Sequence, residues 1–206
     1  MQELVRGIHR LRAEEFRSAS ALFQLPSRAH RPEALLITCS DIGIDPYSLI
    51  PTNLADLYVL QNAGNLAAPH DIVQSDAASS VEPALALYPL KDIVVCGHLQ
   101  CQVMKYFLAA DDSTSAEIPS ITTALRGAKQ TRRIMAEHYS HLAGESHLAA
   151  AIQENVLVQL ENLRTIPEVA ERLRRGELHL HGWIYTTMGA IFIYDPRKEQ
   201  FVALNQ

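Results

Sequence analysis

At 206 residues with 48% hydrophobic content, the chain is long enough to bury one sizeable core and gives no reason to expect two independent domains. Its 18 basic and 23 acidic residues leave a formal charge of -5, which offers no sequence-wide attraction for phosphate backbones or anionic membrane and argues against nucleic acid as a partner. Three cysteines do not make a disulfide scaffold, no apolar stretch approaches the roughly 20 residues of a membrane span, and Met1 to Arg6 lacks the order of a signal peptide, so the expected compartment is the cytoplasm.

The first predicted element is helical. From Gln2 to Leu25 the apolar residues Leu4, Val5, Ile8, Leu11, Phe16, Ala19 and Leu22 recur near helical spacing among charges, so residues 1–30 read as an N-terminal helical arm. After the breaker Arg31-Pro32, Ala34-Leu35-Leu36-Ile37-Thr38 is a short apolar run consistent with a strand buried on both faces, and it ends on Cys39-Ser40-Asp41. A second run, Leu57-Tyr58-Val59-Leu60, leads to Asn62-Ala63-Gly64-Asn65. A third, Ile93-Val94-Val95-Cys96, leads to Gly97-His98, and Ser80 to Leu90 between them reads as a helix. Asp111-Asp112-Ser113-Thr114-Ser115 reads as a loop, followed by helices over Ile121 to Ala143 and Ala149 to Leu163. Near the end, Leu178 to Tyr185 alternates with period two, and Ala190-Ile191-Phe192-Ile193-Tyr194 follows a Met188-Gly189 turn, predicting a strand and an edge hairpin. The expectation is a single α/β domain over 1–206, a central, mostly parallel β-sheet flanked by helices, with the N-terminal arm and C-terminal edge strands.

Open α/β sheets place their sites beyond the carboxyl ends of the strands, where this sequence puts Cys39, Asp41, His98 and Cys101. Two thiolates and an imidazole suit a borderline-soft divalent ion, zinc above all, and three protein ligands leave a fourth tetrahedral position for water. On spacing alone the same residues also fit a buried cysteine on each strand and an incidental histidine. A deaminase-type zinc site does not fit, since no His-x-Glu with a later Pro-Cys-x-x-Cys is present. Nor does a thioredoxin-like pair, because Cys96 and Cys101 are separated by four residues.

Cys39-Ser40-Asp41, Gln61-Asn62-Ala63-Gly64-Asn65, Val95-Cys96-Gly97-His98-Leu99-Gln100-Cys101, Glu161-Asn162-Leu163-Arg164-Thr165 and His181-Gly182-Trp183-Ile184-Tyr185 together resemble the ordered motif series of the β-class carbonic anhydrases, over nearly the whole chain. The resemblance implies one zinc ion per chain on Cys39, His98 and Cys101, with Cys96 a structural cysteine. It implies the reversible hydration of carbon dioxide to bicarbonate by zinc-bound hydroxide, with Asp41 as the catalytic carboxylate. The remaining histidines have no motif context and read as surface or packing residues.

The sequence departs from the family beside the metal. In the family's Cys-x-Asp-x-Arg motif an arginine holds the aspartate in a fork of hydrogen bonds, away from the metal. Here the motif is Cys39-Ser40-Asp41-Ile42-Gly43, and Gly43 stands in the arginine's place. An unpaired Asp41 would be a hard anionic group beside a dication and would serve as a fourth ligand that closes the site, whereas as a turn glycine before Asp45-Pro46 the substitution is unremarkable. Gln61, Leu99, Gln102 and Pro83 are further departures from the family pattern.

Three readings follow. The first is an active carbonic anhydrase of weakened activity, with Gln61 or a partner residue orienting Asp41. The second is a catalytically silent, zinc-loaded paralogue acting as a structural or regulatory subunit. The third keeps the fold but takes a sulfur analogue of carbon dioxide in a pocket made apolar by Leu99 and Pro83. The resemblance also implies a homodimer or dimer of dimers with the N-terminal arm laid on the partner, the unswapped arm being the alternative, and allows residence in a carbon-concentrating assembly such as a carboxysome.

Overall fold

The computed structural model describes residues 31–49, 57–67, 69, 78–110, 124–186 and 188–204. The expected N-terminal arm and the Asp111 to Ser115 loop lie outside these residues. Strand β1 (Ala34–Cys39) is apolar without alternation because it feeds two cores. Leu35, Ile37 and Cys39 enter the main cluster, and Leu36 enters a smaller one on the opposite face. Two parallel neighbours flank it, β2 (Leu57–Asn62) on one side and β3 (Asp92–His98) on the other, with Cys39 opposite Asn62 and Thr38 opposite Cys96. Beyond β3 lies β4 (His179–Tyr185), also parallel, so that His98 stands opposite Tyr185. Two antiparallel strands, β5 (Ile191–Asp195) and β6 (Gln200–Ala203), complete a sheet of order β2-β1-β3-β4-β5-β6.

A short helix, α1 (Pro46–Leu49), follows β1. The longer helices are α2 (Ala78–Leu87), α3 (Gln102–Ala109), α4 (Lys129–His138), α5 (Gly144–Arg164) and α6 (Pro167–Arg175). Each of these five sends apolar side chains into the main cluster: Val81 and Leu85 from α2, Met104 and Phe107 from α3, Met135 from α4, Ile152, Val156 and Leu163 from α5, and Val169 from α6. The helices therefore share one face of the sheet, with α5 lying across β3 and β4.

The elements differ from expectation mainly at their ends. All three predicted inner strands run on to the residues that carry the motifs, because the parallel ladder continues through Cys39, Asn62 and His98. The helix expected over Ile121 to Ala143 is interrupted by a turn at Ala128 and ends at His138, while α5 starts at Gly144 rather than Ala149. Helix α6 was not expected. Its signals are Pro167 at the first position and Gly176, left-handed at φ 70, just past the end.

Candidate metal centre

Cys39 and His98 are the last residues of β1 and β3, and Cys101 is the N-cap of α3, so parallel register delivers all three to one edge of the sheet. Their ligand atoms lie within 4.8 Å of one another, and all three residues are buried. Two thiolates on a tetrahedral zinc, each about 2.3 Å from the ion, would stand about 3.8 Å apart. The Cys39 and Cys101 Sγ atoms are 3.7 Å apart.

The imidazole is oriented for the same task. His98 Nδ1 is 3.1 Å from the Leu99 carbonyl oxygen, which can only accept, so Nδ1 carries the proton and Nε2 presents a lone pair. Nε2 is buried and has no hydrogen-bond partner among the described residues. A buried polar atom left unsatisfied is costly, and a metal ion at the two sulfurs would satisfy it. The donor set therefore fits zinc.

Backbone amides surround the sulfurs. Cys39 Sγ accepts from the N–H of Gly64 at 3.3 Å and of Asp41 at 3.4 Å, and Cys101 Sγ accepts from the N–H of Met104 at 3.3 Å as it caps α3. The hydrogen bond from Cys101 is the largest influence on the Cys39 thiol. With help from His98, Asp41 and Gly64, and against the effect of burial, it pulls the thiol from 9.0 down to about 4. The Cys101 thiol is pushed upward by the same contact and by burial, so the two sulfurs resist carrying two negative charges side by side. Cys96 lies in the smaller core on the opposite face, where burial raises its thiol to about 12.

Asp41 is not in the group whose ligand atoms lie within 4.8 Å of one another. Its Oδ2 accepts from the backbone N–H of Gln102 at 2.7 Å, the first residue of α3, where a free helical N–H and the helix dipole both favour a carboxylate. A main-chain donor thus occupies the role that the sequence suggested for Gln61, which is exposed. Gly43 adopts φ +68, the left-handed conformation of a turn glycine, and a Cβ there would meet nothing within 4 Å. Leu99 packs against the main core, and Pro83 is exposed on α2. Of the other histidines, His181 Nε2 contacts Asp92 Oδ1 at 2.8 Å, tying the starts of β4 and β3 far from the sulfurs; His9, His30 and His70 lie outside the described residues.

One group near the centre was missed in the sequence. Thr131, Asn155 and Gln159 are fully or almost fully buried and hydrogen-bonded to one another and to the loop that donates to Cys39. Their only sequence signal is two amides, four residues apart, on the apolar face of a helix.

A family model described as carbonic anhydrase matches residues 34–190. The carbonic anhydrase of Synechocystis sp. is 38% identical over 204 residues, covering 98% of this chain and 74% of that protein. That of Pseudomonas aeruginosa is 34% identical over 205 residues, covering 99% and 92%. Among solved structures, the β-carbonic anhydrase CcaA aligns with a TM-score of 0.89 at 38% identity over 98% of both chains. A tetrameric β-carbonic anhydrase of Sordaria macrospora aligns with a TM-score of 0.77 at 23% identity over 94% and 97%, a likeness of fold alone.

Proposed function

The chain belongs to the carbonic anhydrase family, in its β class, and from that premise we propose that it catalyses the reversible hydration of carbon dioxide to bicarbonate at a zinc centre held by Cys39, His98 and Cys101. The observation that carries this reading is the buried His98 Nε2, without a hydrogen-bond partner among the described residues, beside two sulfurs 3.7 Å apart. Zinc, when bound, supplies the acidification of water from a pKa of 15.7 to about 7 that hydration at neutral pH requires.

The chain's own residues prepare that centre. Leu99 O fixes the tautomer of His98, and the amides of Gly64 and Asp41 steady the Cys39 sulfur without neutralising it. Gln102 N–H holds one oxygen of Asp41, leaving the other to accept a hydrogen bond from solvent or substrate entering the site. One N–H restrains a carboxylate less than a bidentate guanidinium does, which is the physical basis for weakened activity. The openness around Gly43 favours a second reading, a zinc-loaded but silent subunit in which Asp41 swings to the metal.

A stopped-flow pH-indicator assay separates the two. Zinc-loaded protein is expected to hydrate carbon dioxide and to lose the activity on chelation; a rate no faster than buffer would leave the silent subunit. Gly43→Arg adds to the test. The left-handed backbone at φ +68 costs a non-glycine residue about 1–2 kcal/mol, and for a chain of this size the melting temperature falls by about 2–4 °C per kcal/mol. The hydration rate is nevertheless expected to rise, since the guanidinium adds a fork to Asp41. An unchanged rate would assign the loss to Gln61, Leu99 or Gln102. The proposal includes assembly as a homodimer or dimer of dimers, supported by the tetrameric relative of like fold and testable by light scattering. It also places the protein in the cytoplasm or a carboxysome, which fractionation of the host cell would check.

A further inference from the structure

Asn155 is 1% exposed on the face of α5 that otherwise buries Ile152, Val156 and Leu163. A buried amide is tolerated only when hydrogen-bonded, so its partners indicate what holds it there. The direction of the network follows from one unambiguous donor. The backbone N–H of Ala67 donates to Gln159 Oε1 at 2.8 Å, so Gln159 turns Nε2 the other way and donates to Asn155 Oδ1 at 3.0 Å. Thr131 Oγ1 donates to the same Oδ1 at 3.1 Å. With its oxygen engaged twice, Asn155 must present Nδ2 on its far side, and there it donates to the Gly64 carbonyl at 2.9 Å.

Gly64 is the residue whose N–H donates to Cys39 Sγ at 3.3 Å. Its N–H and C=O belong to successive peptide planes, so the bond from Asn155 does not polarise the N–H. What it does is hold Gly64 in its left-handed conformation, φ +82, and with it the aim of that N–H. Asn62 clamps the loop between its ends, donating to Leu66 O at 2.8 Å and accepting from Leu66 N at 2.7 Å, which leaves the middle of the loop, at Gly64, to α5.

We propose that Asn155 is a positioning residue of the metal centre: by clamping the Gly64 carbonyl it aims the Gly64 N–H at Cys39 and so sets the orientation and donor strength of that thiolate toward the metal. The inference rests on reading Cys39 as a ligand. Outer partners of metal ligands typically change affinity by about 10–100-fold when removed.

The test is titration of the full-length, metal-free chain with cobalt(II), following the near-ultraviolet thiolate-to-cobalt absorption and measuring Kd by competition with a chromophoric chelator. Asn155→Asp nearly keeps the shape of the side chain, and its ionised carboxylate cannot donate to the Gly64 carbonyl. Its cobalt Kd is expected to weaken by about 10–100-fold, with a displaced charge-transfer band. Val169→Ala, which trims the main core on α6 and takes part in no hydrogen bond of this network, is expected to lower the melting temperature while leaving Kd and the band unchanged. Asn155→Asp with the wild-type Kd and band would overturn the inference. If Asn155→Asp does not fold, Asn155→Ala, which has no side-chain donor and adds no charge, is read by the same two outcomes. A wild-type chain that gives no thiolate-to-cobalt band overturns the ligand reading itself and the inference with it, whereas a wild-type band matched by an unaltered Asn155 variant overturns the inference alone.

Discussion

Cys101→Ser is expected to abolish tight zinc binding and carbon dioxide hydration while leaving the fold nearly as stable as the metal-free parent. Cys101 has two jobs, since its sulfur belongs to the Cys39–His98–Cys101 group and also accepts from Met104 N–H as the N-cap of α3. Serine is among the best N-caps, so the helix keeps its start, and replacing such a cap with alanine instead would cost about 1 kcal/mol. A neutral hydroxyl is a poor substitute for a thiolate on a borderline-soft ion, and zinc affinity should fall by more than the roughly 100-fold upper range for outer partners. Zinc content by elemental analysis, with Kd by chelator competition, measures the first effect, and thermal unfolding in the presence of chelator measures the second. Cys96→Ala is the control, because Cys96 is buried on the opposite face and should keep the metal. Retention of stoichiometric zinc by Cys101→Ser would remove Cys101 from the ligand set.

Gly64→Ala is expected to damage fold and centre together. The added Cβ would lie 2.8 Å from Phe107 Cε2, and that ring is only 3% exposed, so it has little room to retreat. The backbone sits at φ +82, where a side chain costs about 1–2 kcal/mol, and forcing a methyl into a packed core adds about 1–3 kcal/mol. Together these predict a loss of roughly 2–5 kcal/mol, or a fall in melting temperature of roughly 4–20 °C for a chain of this size. Because relief of the clash must move the Gly64 N–H away from Cys39 Sγ, zinc affinity should fall as well. Calorimetry and a zinc titration would check both; an alanine variant with unaltered melting would show that the loop relaxes freely.

Much of the fold was legible because its signals are local. The β1 run Leu35-Leu36-Ile37 reads as a strand buried on both faces, and the later turn at Met188-Gly189 marks the hairpin, since strand runs and turn glycines report their conformation through residue type. Element ends were less legible. Cys39, Asn62 and His98 continue their strands only because a neighbouring strand pairs with them, and Pro167 and Gly176 bracket a helix whose interior is highly charged.

The candidate site divides along the same line. The order and types of the residues put Cys39 and His98 at the ends of strands with Cys101 shortly after, while reading them as metal ligands, and Gly43 as standing in an arginine's place, rested on the resemblance to the β-class carbonic anhydrases. Only the tertiary structure decided what holds Asp41 and what steadies Cys39. Both partners are main-chain amides, of Gln102 and Gly64, brought into place by the start of α3 and by the clamp from Asn155. Every residue other than proline carries such an N–H, so a backbone donor leaves no mark in the sequence until folding aims it.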